Sequence, residues 1–419
     1  MFPTITGGFT TARWLPFRRA EEVAVGALDG IRVLDAGLLV QGPQAAALMS
    51  DMGADVIKVE LPGFGDQARW ISVSDTDRRA PYFIGANRGK RSVTIDLRKP
   101  EGREVFLRLA ETADVIVSNF KGGTMDAWGL GYEDVAARNP RIVYATGTVF
   151  GPIGPDAERE GADLAGQAAG GLISTTGVDG GNPTPVGITI ADFIASSTMA
   201  NGILAALIAR GRTGKGQRVD VSLVGSQIWA QASEYAYFGL SGQQPGRANF
   251  GHPLLHAAYF IVPTKDGWIA LIGVPPALRE SFWKCVERPE LAEDPRFAQM
   301  LYTPEIKRDL QAELSKVFPR YTTAEWCERL RAAGQRFAPV RGYADVVADP
   351  NMWQNGYLST LNHPEWGEVT MPGAPIRMSD TPMIPGQFVA ELGQDTEIIL
   401  TELGYDWDQI TALRDAGAI

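Results

Sequence analysis

Between Ile31 and Thr146 the chain alternates short apolar runs with longer amphipathic ones, and no other feature constrains its fold as much. Ile31–Asp35 reads as a buried strand, and residues 43–53 as a helix with proline near its start and glycine at its end. Strands follow at Ala54–Glu60, Ser92–Asp96, Asp114–Val117 and Arg141–Thr146, with helices at Glu101–Ala113 and Tyr132–Asn139. Apolar strands alternating with helices predict a doubly wound, parallel α/β sheet.

After Gly151 the texture changes. Gly170, Gly171, Gly177, Gly180, Gly181 and Gly187 crowd together before a long helix from about Phe193 to Arg210. The basic turn Arg212-Thr-Gly-Lys-Gly-Gln, a strand at Arg218–Leu223 and a helix at Ser226–Phe238 come next. A smaller α+β unit shows strand signals at Ala258–Val262 and Trp268–Ile272. From about Asp349 the chain returns to turns, short strands and a final helix. The expected division is an N-terminal arm at 1–29 and the first part of a large α/β domain at 30–225. A linker helix with a small α+β domain occupies 226–345, and the C-terminal stretch is 346–419. The arm carries Arg13, Trp14, Phe17, Arg18 and Arg19 and reads as a segment that docks on a neighbouring surface.

Charge and rare residues exclude several classes. Lys and Arg number 39 against 49 Asp and Glu, a net charge of −10, so no basic stripe is expected for nucleic acid. An anionic small ligand is still possible through a local cationic cluster. Cys285 and Cys327 make no disulfide framework, which points to the cytoplasm. Of the histidines, His252 and His256 are separated by Pro253, and with His363 they fit neither a zinc site nor a Ser-His-Asp hydrolase. The longest apolar stretch, Gly202–Ala209, is short of the roughly 18 residues of a membrane span. Met1–Gly30 lacks the apolar core of a signal peptide. The first strand runs into Asp35-Ala-Gly-Leu-Leu-Val-Gln-Gly-Pro, without the glycine triplet that lets a backbone approach a pyrophosphate. A nicotinamide dehydrogenase is disfavoured, and no P-loop sequence occurs.

Asp192 follows the apolar run Val186–Ala191, read as a strand, and precedes the long helix. Aspartate there can cap the helix. The same position suits a nucleophile, because a carboxylate at the end of a buried strand beside a glycine-rich segment can attack a thioester.

Many short stretches, in order, carry a resemblance. They are Gly30-Ile-Arg-Val-Leu-Asp, Gly53-Ala-Asp-Val-Ile-Lys-Val-Glu, Asn87-Arg-Gly-Lys-Arg-Ser, Glu101-Gly-Arg and Asp114-Val-Ile-Val-Ser-Asn-Phe. Asn139-Pro-Arg, Gln167-Ala-Ala-Gly-Gly, Arg212-Thr-Gly-Lys-Gly-Gln, Thr264-Lys-Asp-Gly-Trp and Ala338-Pro-Val follow. The end supplies Glu402-Leu-Gly-Tyr and Leu413-Arg-Asp-Ala-Gly-Ala-Ile. From Leu28 to Ile419 the chain resembles the family III CoA-transferases, the formyl-CoA and carnitine-CoA transferase type.

The resemblance implies a large Rossmann-like domain built from both chain ends plus a smaller α+β domain, in an interlocked homodimer. It implies that CoA moves from an acyl-CoA thioester to a free small carboxylic acid, with no metal and no permanently bound cofactor; the expectation of no nucleic-acid or membrane partner comes from the charge and the short apolar stretches. Asp192 takes the place of the nucleophile that forms a mixed anhydride. Gln41 takes the place of the active-site amide, and Asp163 that of a second carboxylate near the site. CoA contacts are expected at Val40, Asp96, Leu97, Arg98, Lys99, Asn119, Phe120 and Lys121. Read from the residues alone, Gln41 is equally a helix-start residue and the charged positions a solvated face.

Leu61 stands where some family members have an arginine. The related 2-methylacyl-CoA racemases are the alternative. They use a histidine directly before the aspartate of a Gly-x-Asp motif, which reads Gly161-Ala162-Asp163 here. Asn249-Phe-Gly-His-Pro replaces the glycine run of the formyl-CoA members, which disfavours formate and oxalate. Trp229, Tyr235 and Tyr237 share a helix that borders an acyl pocket or, as such stripes more often do, a core or subunit interface.

Overall fold

Six parallel strands carry the first half of the chain: β1 (Arg32–Asp35), β2 (Asp55–Glu60), β3 (Arg91–Thr94), β4 (Val115–Ser118), β5 (Val143–Thr148) and β6 (Gln217–Ser222). Their order is β3-β2-β1-β4-β5-β6. This computed structural model describes residues 26–178, 180–247, 252, 254–299 and 301–419. Arg13, Trp14, Phe17, Arg18 and Arg19 of the arm, and Asn249, Phe250, Gly251 and Pro253 of the substituted glycine run, lie outside the described residues.

Successive strand residues point to opposite faces, so each strand feeds two cores. Val33, Val115 and Val117 join the helices Gln41–Asp51 and Ile190–Thr213 on one side. Leu34, Ile116 and Tyr144 join Pro100–Thr112, Tyr132–Arg138 and residues of the last two helices, Thr396–Glu402 and Trp407–Asp415, on the other. The expected parallel α/β sheet is present, and both chain ends contribute to its core.

Local boundaries moved for physical reasons. The first helix starts at Gln41 rather than Pro43, because proline is tolerated in a first turn whose N–H groups are unpaired anyway. The expected helix 226–238 is two, Leu223–Ala230 and Ala232–Ser241, broken at Gln231. The Gln231 amide donates to Gly170 O at 2.7 Å and Gln227 O at 2.9 Å.

The run Val186–Ala191 is not a strand. It leads irregularly into a helix of 24 residues, Ile190–Thr213, which ends at Gly214 with φ 73°. By length and composition that helix could cross a bilayer, although the sequence singled out only Gly202–Ala209. Here Ala195, Met199, Ala200, Ile203 and Ala206 pack it against the sheet.

The second sheet is antiparallel: β7 (Tyr259–Pro263), β8 (Trp268–Ile272) and β9 (Phe337–Pro339). Phe282, Trp283, Phe297, Phe318 and Trp326 fill its core. The hairpin β10 (Leu358–His363) and β11 (Gly367–Pro372) packs Leu361 and Met371 on Ile84. Ile84 belongs to the short helix Pro81–Asn87, which sequence reading missed. The chain then returns along the first helix, where Ile384 N donates to Asp51 O and Gly386 N to the Asp51 carboxylate.

Candidate active site

The order in which the chain adds strands reverses between the parallel neighbours β1 and β4, and ligands of open α/β sheets bind outside the carboxyl ends at such a point. The loop after β1 is clamped there from three sides. Asp35 accepts from Gly37 N at 2.9 Å. Below, the fully buried Lys90 donates to Asp35, Pro43 O and Asn87 at 2.7–2.8 Å. Lys58, equally buried, donates to Gly37 O and pairs with Asp66 at 2.8 Å. From β4, Asn119 accepts from Leu38 N at 2.6 Å and donates to Leu38 O at 2.9 Å. Leu39 is held at φ 60°, a conformation costly for a branched residue, with its N–H on Asp66. Clamping delivers Gln41 to the tip of β5. The Gln41 amide is 4% exposed and donates one hydrogen to Thr148 O at 3.4 Å. Its other amide hydrogen meets no acceptor among the described residues.

Asp192 is the third residue of its helix and does not cap it. Thr189 holds the cap position and its side chain makes no cap bond. Asp163 does the capping from another segment: one carboxylate oxygen accepts from Ala191 N at 2.7 Å and Asp192 N at 3.2 Å. Gln167 supports it, donating to Asp163 at 2.6 Å and accepting from Val186 N at 2.9 Å. Because those helix N–H groups are already paired, no described residue donates to the Asp192 carboxyl. Burial, and then the Asp163 charge, push its pKa up to about 7. Ser196 joins the two helix starts, its hydroxyl 2.8 Å from Gln41 O and 2.7 Å from Asp192 O. A half-buried, unbonded carboxylate on a helix start that Ser196 ties to the helix start of a preorganised amide donor suits nucleophilic attack on an acyl carbonyl.

Two cavities are lined by neighbours of this pair, though by neither Gln41 nor Asp192 itself. One, of about 500 Å³, is lined by Val40, Gln44, Thr189 and Phe193 from the two helix starts and by Tyr82 and Arg88 opposite. The other, of about 260 Å³, opens at the ends of β4 and β5 and is lined by Phe120, Lys121, Tyr132, Thr148 and Arg218.

The expected CoA residues therefore separate. Phe120 and Lys121 share the second cavity, while Val40 lies in the first. Asn119 is engaged in clamping Leu38. Asp96, Leu97, Arg98 and Lys99 form the turn after β3 and line neither cavity. Arg98 forks onto Asp96, two bonds of 2.8 Å, and Lys99 donates to Ala416 O at 2.6 Å. Lys121 stands 3.7 Å from Glu160 at the surface. Trp229, Tyr235 and Tyr237 line neither cavity, and Trp229 is 76% exposed. Gln167, Ser196, Gln44, Arg88 and Arg218 were not singled out from sequence. Arg88 and Gln167 gave a signal, inside the matching runs Asn87-Arg-Gly-Lys-Arg-Ser and Gln167-Ala-Ala-Gly-Gly.

Comparisons with known proteins agree on one family. Residues 28–396 match the model of CoA-transferase family III. The succinyl-CoA:glutarate CoA-transferase of Homo sapiens is 30% identical over 94% of this chain and 90% of its own. The succinyl-CoA:mesaconate CoA-transferase of Haloarcula hispanica is 36% identical over 91% of this chain and 97% of its own. A crystal structure of a CAIB/BAIF family protein from Brucella suis superposes with TM-score 0.81 at 33% identity, over 90% of this chain and 99% of that one.

Proposed function

The chain belongs to the family III CoA-transferases, and from that premise we propose how it works, by a covalent route through Asp192. It is a CoA-transferase that moves CoA between an acyl-CoA and a carboxylic acid. The observation that carries the route is the Asp192 carboxyl itself, half-buried and without a hydrogen-bond donor among the described residues, while Asp163 accepts from the helix N–H groups. Its oxygen attacks the thioester carbonyl while the free Gln41 N–H stabilises the developing oxyanion. Expulsion of CoA thiolate leaves a mixed anhydride. The thiolate then attacks the aspartyl carbonyl, which releases the donor carboxylate and leaves an aspartyl-CoA thioester. The acceptor carboxylate attacks that thioester and the steps run in reverse, so atoms balance with no co-reactant. The human succinyl-CoA:glutarate and Haloarcula succinyl-CoA:mesaconate relatives support succinyl-CoA and small dicarboxylic acids as the proposed substrates.

CoA is placed along the second cavity, with Lys121 and Arg218 as the nearby cations for its phosphates. Asn119 acts indirectly there by holding the Val40–Gln41 corner. Two copies of the chain form the proposed working unit, which would cover exposed apolar residues such as Trp229 and Leu240. The free cysteines Cys285 and Cys327 support a cytoplasmic setting.

Transfer rather than epimerisation is the expected chemistry. Ala162 caps no proton path, and a stereocentre needs a base on each face. With 2-methylacyl-CoA in deuterated water and no acid acceptor, α-deuterium uptake should stay at the uncatalysed rate. With succinyl-CoA and a panel of acids, mass spectrometry should show new thioesters. Rapid deuterium uptake with no new thioester would overturn the assignment.

The Gln41 role has its own test at Gly147. A Cβ there would fall 2.6 Å from Gln41 Cδ, so Gly147→Ala must push the carboxamide aside. The side chain can rotate away, so the fold survives. Losing one preorganised donor costs roughly 100–1,000-fold in kcat. Steady-state kinetics with a thermal melt check both halves. A fully active Gly147→Ala enzyme would remove Gln41 from the mechanism.

A further inference from the structure

The larger cavity is lined by Val40 and Gln44 beside Gln41 and by Thr189 and Phe193 near Asp192, though by neither Gln41 nor Asp192 itself, and one wall carries the guanidinium of Arg88. Arg88 is only 4% exposed. Its Nη2 pairs with Asp51 at 2.6 Å and its Nη1 donates to Gly85 O at 3.1 Å. Nε has no acceptor but is itself closed off from solvent, which leaves the second hydrogens of Nη1 and Nη2 as the donors the protein does not use towards the cavity. Buried donors left unpaired are costly and call for a partner. Neutral hydrogen-bonding groups share the same walls: Gln44, Tyr82, Thr189 and Tyr357, whose side chains make no hydrogen bond to another described residue. The remaining lining is mostly apolar, including Val40, Leu48, Ile188 and Phe193. A short chain fits this space if its near end reacts at Asp192 and its far end bears a charge-matched acceptor.

Resting on the CoA-transfer reading, we propose that Arg88 is a specificity-determining residue, which binds the second carboxylate of a dicarboxylic acyl group seated in this cavity. A planar carboxylate matches the guanidinium fork bidentately, which a hydroxyl or methyl terminus does not. A monocarboxylic acyl group of equal length leaves the buried donors unpaired, and sites of this kind discriminate strongly against such analogues.

The test compares glutaryl-CoA with valeryl-CoA, equal in length and differing in the terminal carboxylate. CoA release in the presence of hydroxylamine reads the first half-reaction, so no second acid complicates it. The wild-type enzyme should prefer glutaryl-CoA by at least ~100-fold in kcat/KM. In Arg88→Met/Asp51→Asn, which removes both buried charges together, the ratio should fall to within about threefold of one. Arg88→Lys keeps the charge and the Asp51 partner but loses the fork, and should retain only about a tenth of the preference. A double variant that fails to fold leaves the Lys variant and the wild-type ratio to decide. Release from neither thioester would remove the transferase reading itself. Release from both at similar rates, or an unchanged ratio in either variant, would leave transfer standing and overturn the role of Arg88.

Discussion

Replacing Asp192 by Asn or Ala is expected to lower CoA transfer by at least ~10⁴-fold, because the neighbouring carboxylate, Asp163, is engaged by Ala191 N, Asp192 N and Gln167 and is not free to take over as covalent nucleophile. Hydroxylamine added with acyl-CoA should modify the wild-type enzyme on the peptide that contains Asp192, and the variants nowhere. A variant retaining more than about 1% of transfer, or an adduct mapped to another carboxylate, would refute the covalent route. The same group governs pH dependence. With its carboxyl pushed up to about 7, Asp192 is increasingly protonated below that pH, and kcat/KM for acyl-CoA should fall on the acid side of neutrality.

Stability moves the opposite way. The unfolded carboxyl ionises near its ordinary 3.8 and the folded one near 7, so the folded chain holds an extra proton between those values. Stability from this group is therefore full below about 4, declines as pH rises towards 7, and stays reduced above. Asp192→Asn removes that penalty. At pH 8 it should be more stable than the wild type by roughly 1–3 kcal/mol, against a ceiling of about 4 for the full shift, and equal to it near pH 4. Urea unfolding at the two pH values measures this. Active-site residues often oppose folding in this way.

Asp163 is expected to have the second largest effect, through position and charge together. Asp163→Ala takes the acceptor from Ala191 N, Asp192 N and the Gln167 amide at once. Losing a helix cap and leaving those donors unpaired should cost about 2–3 kcal/mol. A shift of the first turn by even 1 Å moves the nucleophile enough to lose ~10²-fold in kcat. Asp163→Asn separates the two roles. It keeps an oxygen for the helix N–H groups but drops the charge that helps raise Asp192. This variant should remain folded, and the acid limb of its pH–rate profile should move to lower pH, only in part because burial is the larger cause. An acid limb left in place by Asp163→Asn would show that Asp163 acts on Asp192 through geometry alone.

Much of this was legible in the sequence because it is local. Strand-helix alternation from Ile31 onward fixes a parallel sheet, since the side-chain period and the crossover helices are properties of short segments. Asp192 and Gln41 could be named only because they stand where the resembling family has its nucleophile and its active-site amide; their own neighbourhoods showed no more than two helix starts. Their environment could not be read. Asp192 looked like a cap from its own neighbourhood, yet the cap comes from Asp163, and only the packing of those two segments freed its carboxyl. Arg98 and Lys99 looked like free cations, but tertiary contacts give them to Asp96 and Ala416. Arg88 looked like one basic residue in a basic run, and the fold buries it against Asp51 with donors to spare. Composition and period set which elements form. Which hydrogen-bonding groups are satisfied, and which are left over for chemistry, was decided only when segments distant in sequence were pressed together and water was excluded between them.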